Sequence, residues 1–239
     1  MRELAPILEN IAKMLDLKLN NEQKRQLLRY IALILEGLTR QRLVGETRGD
    51  ILVEKHLFDC LYPLKLWRLT PPSLLDLGTG AGLPGIPLKI CLPGTELYLL
   101  DAARRKINFL RRVAAELALQ GTYFMPGRAE RWGHHPRYRE KFDCVVSRAV
   151  AGAAVLAELA LPLVRVGGEL LLYKGKGGPE EIEEAGASIR LCGGRLERCG
   201  RYRLPTGEER TLFAIKKIEA TAAAYPRREG RAAKKPLGS

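Results

Sequence analysis

Leu74-Leu75-Asp76-Leu77-Gly78-Thr79-Gly80-Ala81-Gly82-Leu83-Pro84-Gly85-Ile86-Pro87-Leu88 is the stretch that decides how this chain is read. Ser73 to Leu77 is an apolar run long enough for a buried strand and too short for a helix. Glycines at alternate positions 78, 80 and 82 follow. They can take backbone angles closed to other residues, and they carry no side chain to hold a ligand away from the backbone. From Gly85 to Leu88 the apolar pattern resumes, with Pro87 where a first helical turn tolerates it. Strand, glycine turn and helix in this order predict an open α/β sheet holding a nucleotide-like ligand at its carboxyl edge.

Two ligands fit that outline. Gly80, Gly82 and Gly85 satisfy the G-x-G-x-x-G spacing, and Asp101 closes the next apolar run about 20 residues on, as the dinucleotide fingerprint asks. An NAD-dependent oxidoreductase is therefore one reading. Asp76 argues for another. A carboxylate just before the first glycine repels a pyrophosphate, whereas the ammonium and sulfonium of S-adenosylmethionine (AdoMet) suit it. Asp101 serves either ligand, since a carboxylate there can accept both hydroxyls of an adenosine ribose.

The rest of the chain narrows the class. Its 239 residues suggest one sizeable domain with appendages. The net charge of +13 favours a polyanionic partner, nucleic acid before membrane. No run has the length of a membrane span, and the N-terminus mixes Arg2, Glu3, Glu9 and Lys13 among its apolar residues, unlike a signal peptide. The five cysteines include no C-x-x-C pair and read as reduced thiols of a cytoplasmic protein. Three histidines are too few and badly spaced for a histidine-rich metal centre, so no metal is expected.

Helical spacing is visible in residues 4–15 and again after Asn21, which is placed to cap the second helix. Asp50 is placed to cap a third that Pro63 stops. Pro71-Pro72 marks a boundary before the first strand. Leu97–Leu100, Tyr123–Met125, Phe142–Val146 and Gly168–Lys174 predict further strands, and Arg201–Leu204 with Thr211–Lys216 a closing hairpin. The helix after Asp101 carries Arg104, Arg105, Lys106, Arg111 and Arg112 on its outer face, a solvated face or an RNA contact. Residues 131–141 interleave cations with Trp132 and Tyr138, suited to phosphate contact and base stacking or to a surface loop. Tyr225 to Leu237 lacks an apolar pattern and holds five cations against one anion, which predicts a flexible basic arm.

The pattern from Leu75 to Gly82 resembles the first motif of AdoMet-dependent methyltransferases, and LDLGTGAGLPGIPL is similar to the RsmG (GidB) family of bacterial small-subunit ribosomal RNA methyltransferases. Supporting matches are Lys55-His56 with Asp59 (the family's K-H-x-x-D), Ser147-Arg148-Ala149, Lys174-Gly175, and the C-terminal Tyr225-Pro226-Arg227-Arg228 and Lys234-Lys235-Pro236-Leu237. The chain departs from the family at Arg42, where relatives usually carry asparagine, and at Glu229 and Arg231-Ala232, which replace a proline-containing spacer. His56 reads as a hydrogen-bonded structural histidine.

The resemblance implies a Rossmann-like seven-stranded AdoMet-dependent methyltransferase sheet over residues 71–219, an N-terminal helical segment over 1–70 and the basic arm over 220–239. It implies that Asp76, Gly78, Gly80, Gly82 and Leu83 shape the methionine end of AdoMet, Asp101, Ala102 and Ala103 the ribose and adenine, Ala129 and Glu130 the adenine, and Arg148 the mouth. RNA contacts are expected from Arg104, Arg105, Lys106, Arg111, Arg227, Arg228, Lys234 and Lys235. The implied reaction is methyl transfer to N7 of a guanine in small-subunit ribosomal RNA, by a monomer acting on that RNA or on the small ribosomal subunit, with no membrane partner. The sequence lacks the motif for exocyclic amines and the Pro-Cys for pyrimidine carbons. Guanine N7 has an in-plane lone pair and no proton at neutral pH, so no general base is expected. A non-catalytic RNA-binding protein on a vestigial cofactor fold is the remaining alternative.

Overall fold

The computed structural model describes residues 3–38 and 45–238; Arg40–Val44, with Arg42, lies outside them. Its elements in chain order are α1 (Leu4–Met14), α2 (Asn21–Leu38), α3 (Gly49–Ile51), a π-helical turn (Leu52–Leu57), α4 (Phe58–Trp67), β1 (Ser73–Leu77), α5 (Gly85–Cys91), β2 (Glu96–Asp101), α6 (Arg104–Glu116), β3 (Thr122–Pro126), α7 (Ala129–Gly133), β4 (Phe142–Arg148), α8 (Ala153–Ala160), β5 (Val164–Lys174), α9 (Gly178–Glu184), α10 (Gly186–Leu191), β6 (Gly194–Arg203), β7 (Glu209–Lys217) and α11 (Arg231–Lys234). The seven strands form one sheet in the order β3-β2-β1-β4-β5-β7-β6, with β7 antiparallel to both neighbours and the rest parallel.

β1 carries no polar-apolar alternation because helices cover both faces of the sheet. Leu74 joins a core with α1, α2, α5 and α6, in which Leu8, Ile11, Leu27, Tyr30, Ile86 and Leu110 are buried. Leu75 and Leu77 point the other way, into a core with α8, α9 and α10 built on Leu156, Ala157, Ile182 and Ile189. From β1 the chain runs outward to β2 and β3 and then returns to β4 on the opposite side. That reversal opens a crevice at the carboxyl ends of β1 and β4, the place where open α/β sheets bind ligands.

The N-terminal helices are fastened to this sheet by named hydrogen bonds. Gln23 Nε2 donates to the Ile90 carbonyl at 3.1 Å, and Gln26 Nε2 to that of Leu117 at 2.9 Å. Both carbonyls sit where α5 and α6 end and lack intrahelical partners. Tyr30 Oη, fully buried, donates to the Ala81 carbonyl inside the glycine turn at 3.0 Å.

Three expectations are corrected here. The second helix is capped by Asn20, one residue earlier than expected: its Oδ1 accepts from Gln23 N at 2.8 Å, and Gln23 Oε1 accepts from Asn20 N at 3.0 Å, a reciprocal capping box. Pro63 lies inside α4 and does not stop it. Pro63 offers no amide to the Asp59 carbonyl one turn before it; the next carbonyl, that of Cys60, accepts from Tyr173 Oη at 3.2 Å. The C-terminal segment is ordered against the sheet domain: Arg227 is clamped by Glu158, the Gly230 amide donates to Glu130, and Ser188 Oγ donates to the Leu237 carbonyl. Its charge pattern hid that its few apolar residues, Tyr225, Pro226, Ala232 and Leu237, each find a pocket.

The aromatic-cationic stretch after β3 is also folded inward. Trp132 and Tyr138 pack edge to face at 5.2 Å, and the Arg139 guanidinium donates to the carbonyls of Gly133, Thr221, Ala222 and Tyr225. Among the described residues no helix is long and apolar enough to cross a membrane.

Candidate active site

The glycine turn serves three different ends. Gly78, at φ +74°, lines a cavity of about 410 Å³, and a Cβ on it would come within 2.4 Å of Val150 Cγ2. Gly80, at φ +60°, has open space where a Cβ would stand. Gly82 faces away from the cavity: a Cβ there would meet Ile86 at 2.6 Å and Leu110 at 2.8 Å. Leu83 likewise is buried among core residues. Gly82 and Leu83 therefore shape the turn through packing on their side-chain faces.

Asp76 is fully buried beneath the turn. Its Oδ2 accepts from Thr79 Oγ1 at 2.7 Å and from Gly85 N at 2.8 Å, which ties strand, turn and α5 together. Oδ1 is buried without a partner. Desolvation pushes the carboxyl up to about 6, against the two hydrogen bonds that lower it. Asp76 does not line the cavity, so any influence on a ligand there acts through space.

Asp101 closes β2 at the cavity rim. Its Oδ2 accepts from Gly80 N at 3.0 Å and Oδ1 from Ala103 N at 2.8 Å, while Lys106 Nζ stands 3.7 Å away. An ionised carboxylate has roughly four lone-pair sites, so acceptor capacity remains on both oxygens. Ala102, Lys106, Arg128, Ala129 and Glu130 continue the lining, and the C-terminal segment completes it with Gly230, Ala232 and Ala233. Ala103 opens α6 and acts through its amide. Glu130 Oε1 accepts from Gly230 N at 3.0 Å, joining the two walls.

A second cavity, about 530 Å³, lies on the other side of Ala149-Val150-Ala151, which lines both. Lys55, His56, Asp59, Arg148, Tyr173, Lys174 and Arg210 surround it. Arg148 belongs to this cavity, away from Asp101. Its Nη1 is 2.9 Å from Asp59 Oδ2 and 3.2 Å from His56 Nδ1, and Tyr202 Oη donates to Asp59 Oδ1 at 2.6 Å. Burial and the neighbouring Arg148 push the His56 imidazole down to about 4. The network draws on the π-helical turn, α4, β4 and β6. Lys55-His56 with Asp59 and Ser147-Arg148-Ala149 signalled three of its members; Tyr202 is brought by a strand pairing that no local pattern announces.

The basic residues divide. Arg104, Arg105, Arg111 and Arg112 are exposed on α6, with Arg111 stacked over Phe124 at 4.8 Å. Arg228, Lys234 and Lys235 are exposed, whereas Arg227 is held by the buried Glu158. Among the described residues no group of three or more His, Cys, Asp or Glu is arranged to hold a metal ion.

Comparison with known proteins settles the lineage. The family model for GidB, rRNA small subunit methyltransferase G, matches residues 23–205. The chain belongs to the GidB family. It is 41% identical over 239 residues to the ribosomal RNA small subunit methyltransferase G of Lachnoclostridium phytofermentans, covering 99% of this chain and 98% of that one. To the same-named protein of Pelotomaculum thermopropionicum it is 42% identical, covering 99% and 100%. The GidB sheet is shared more widely. A SAM-dependent methyltransferase from Aquifex aeolicus superposes with a TM-score of 0.53 at 18% identity, covering 76% of this chain and 96% of that one. TYW2 of M. jannaschii, solved in complex with AdoMet, gives 0.50 at 12%, covering 62% and 70%. These two likenesses establish the fold: a Rossmann-like, seven-stranded methyltransferase sheet preceded by helices.

Proposed function

We infer that the chain transfers a methyl group from AdoMet to N7 of a guanine in small-subunit ribosomal RNA. The observation that carries this is a ligand-sized cavity bordered by Asp101 that shares its Ala149-Val150-Ala151 lining with a second, cation-lined cavity, in a member of the GidB family. Membership gives no support to an oxidoreductase or to a vestigial cofactor fold. The residues fit AdoMet. Asp101 retains acceptor capacity for ribose hydroxyls, Gly80 leaves backbone open, and the volume lies in the usual range for small-molecule sites, roughly 300–1,000 Å³. Gly78, Asp101, Ala102, Ala129 and Glu130 are assigned to hold it. Bound there, it supplies a methyl group on a positively charged sulfur.

The chain's own part is mainly placement. Guanine N7 needs no deprotonation, so holding its lone pair in line with the methyl carbon accounts for most of the acceleration, a proximity effect. The product base is cationic, and a free cation beside it would hinder. Asp59 neutralises Arg148, Glu208 pairs Lys55 at 2.5 Å and Glu181 pairs Lys174 at 2.7 Å, which meets that demand for three of the four lining cations; the fourth, Arg210, donates to the Glu209 carbonyl and has no carboxylate partner among the described residues. The exposed arginines of α6, with Arg228, Lys234 and Lys235, are assigned to RNA phosphates, and the protein is taken to act as a monomer in the cytoplasm.

Borohydride reduction and aniline treatment cut RNA at N7-methylguanine. Small-subunit RNA incubated with the protein and AdoMet is expected to show one new cut, at a guanine, absent without AdoMet. Methylation at an exocyclic amine or a ribose hydroxyl gives no cut and would refute the N7 assignment. Asp101→Ala is expected to weaken AdoMet binding by about 1–3 kcal/mol, through lost charge-assisted hydrogen bonds. Unchanged affinity in a calorimetric titration removes Asp101 from the site.

A further inference from the structure

We propose that His56 reads the target base, donating its Nε2–H to O6 of guanine and thereby selecting guanine over adenine at the methylated position. The proposal rests on the second cavity being the seat of that base. His56 lies in the π-helical turn Leu52–Leu57, a wide turn that is rare in proteins and concentrated at functional sites.

Geometry determines the tautomer. A guanidinium only donates, so the 3.2 Å contact from Arg148 Nη1 makes His56 Nδ1 the accepting nitrogen and leaves the ring proton on Nε2. Arg148 is itself fixed by Asp59 at 2.9 Å, and Asp59 by Tyr202 at 2.6 Å. Nε2 has no hydrogen-bond partner among the described residues, and the ring lines the cavity. With the imidazole pushed down to about 4, the ring is neutral near pH 7.

The edge of guanine that carries N7 also carries O6, an acceptor; in adenine the corresponding group is an amine, a donor. A donor at Nε2 pairs with O6, leaves the N7 lone pair free and opposes the adenine amine. Being neutral, it orients the base without adding a positive charge beside a product that is already cationic. Lys55 and Lys174, the ammonium groups of the same cavity, are engaged by Glu208 and Glu181.

The test compares natural small-subunit RNA with RNA whose target guanine is replaced by 2-aminopurine, which keeps N7 and the 2-amino group and lacks O6. His56→Asn keeps an acceptor for Arg148 and has no donor at the Nε2 position; His56→Gln returns an N–H near it. Rates of methyl transfer from radiolabelled AdoMet are read for each pairing. The wild-type protein is expected to lose about tenfold in kcat/KM on 2-aminopurine beyond any loss shown by His56→Asn, with His56→Gln between them. If His56→Asn carries the full wild-type penalty, or the wild-type protein shows none, His56 is a strut and the proposal is overturned. Absence of an AdoMet-dependent borohydride–aniline cut in natural RNA overturns the methyl-transfer reading, and this proposal with it.

Discussion

Arg227→Ala is expected to lower the stability of the folded chain by about 3–5 kcal/mol, the cost of leaving a buried carboxylate without its partner. Glu158, on α8, is fully buried and accepts from Arg227 Nη2 at 2.6 Å, Nε at 2.8 Å and the backbone amide at 2.8 Å. Alanine keeps the amide contact and removes the charge. Urea denaturation at pH 7 measures the loss. Glu158→Gln in the same background is expected to recover part of it, because a neutral amide costs less to bury unpaired than a carboxylate. A midpoint unchanged in Arg227→Ala would show that the pair contributes nothing. The same clamp holds the segment whose Gly230, Ala232 and Ala233 wall the cavity of Asp101. Removing residues 225–239 is therefore expected to weaken AdoMet binding as well as RNA binding, whereas a freely moving arm would affect RNA alone.

The arm shows where the sequence could be read and where it could not. β1, the glycine turn and Asp101 were legible because their signals are local: an apolar run, glycines at alternate positions and a carboxylate at a strand end. The fates of the individual glycines were not legible. Gly82 and Gly78 look alike in the sequence, yet one is pressed against Leu110 and the other against Val150, neighbours supplied by α6 and by the loop after β4. Tyr225 to Leu237 misled for the same reason in reverse. Its cations dominate a composition count, while its ordering comes from single long-range bonds to Glu130, Glu158 and Ser188. Arg148 was placed correctly at the end of β4, but the direction of its side chain depends on Asp59 and Tyr202, which reach it from α4 and β6.

Asp76→Asn is expected to change how stability depends on pH, and the sign follows from two buried groups. Asp76 is raised to about 6 from an ordinary 3.8. The folded state thus binds that proton more tightly than the unfolded chain, and its stabilising effect is lost as pH rises from about 4 through 6. His56 works oppositely. Lowered from 6.5 to about 4, it favours the folded state above 6.5, and that advantage is lost as pH falls through 4. Each shift corresponds to on the order of 3 kcal/mol, and over pH 4–6.5 the two nearly cancel. Asparagine keeps an oxygen for Thr79 and Gly85 and removes the titration, leaving the His56 contribution unopposed. Urea midpoints of the variant should therefore climb with pH across this window, while those of the wild-type protein stay comparatively level; parallel curves would refute the raised carboxyl. The same charge bears on the ligand. A buried carboxylate with one oxygen unpartnered attracts a cationic ligand across the turn. Its loss is expected to weaken AdoMet about tenfold, equivalent to one unit of coupling. Linkage requires the reciprocal effect, with bound AdoMet drawing the Asp76 carboxyl downward by the same unit. Equal affinity in the two proteins would leave Asp76 as a tie between strand and helix and nothing more.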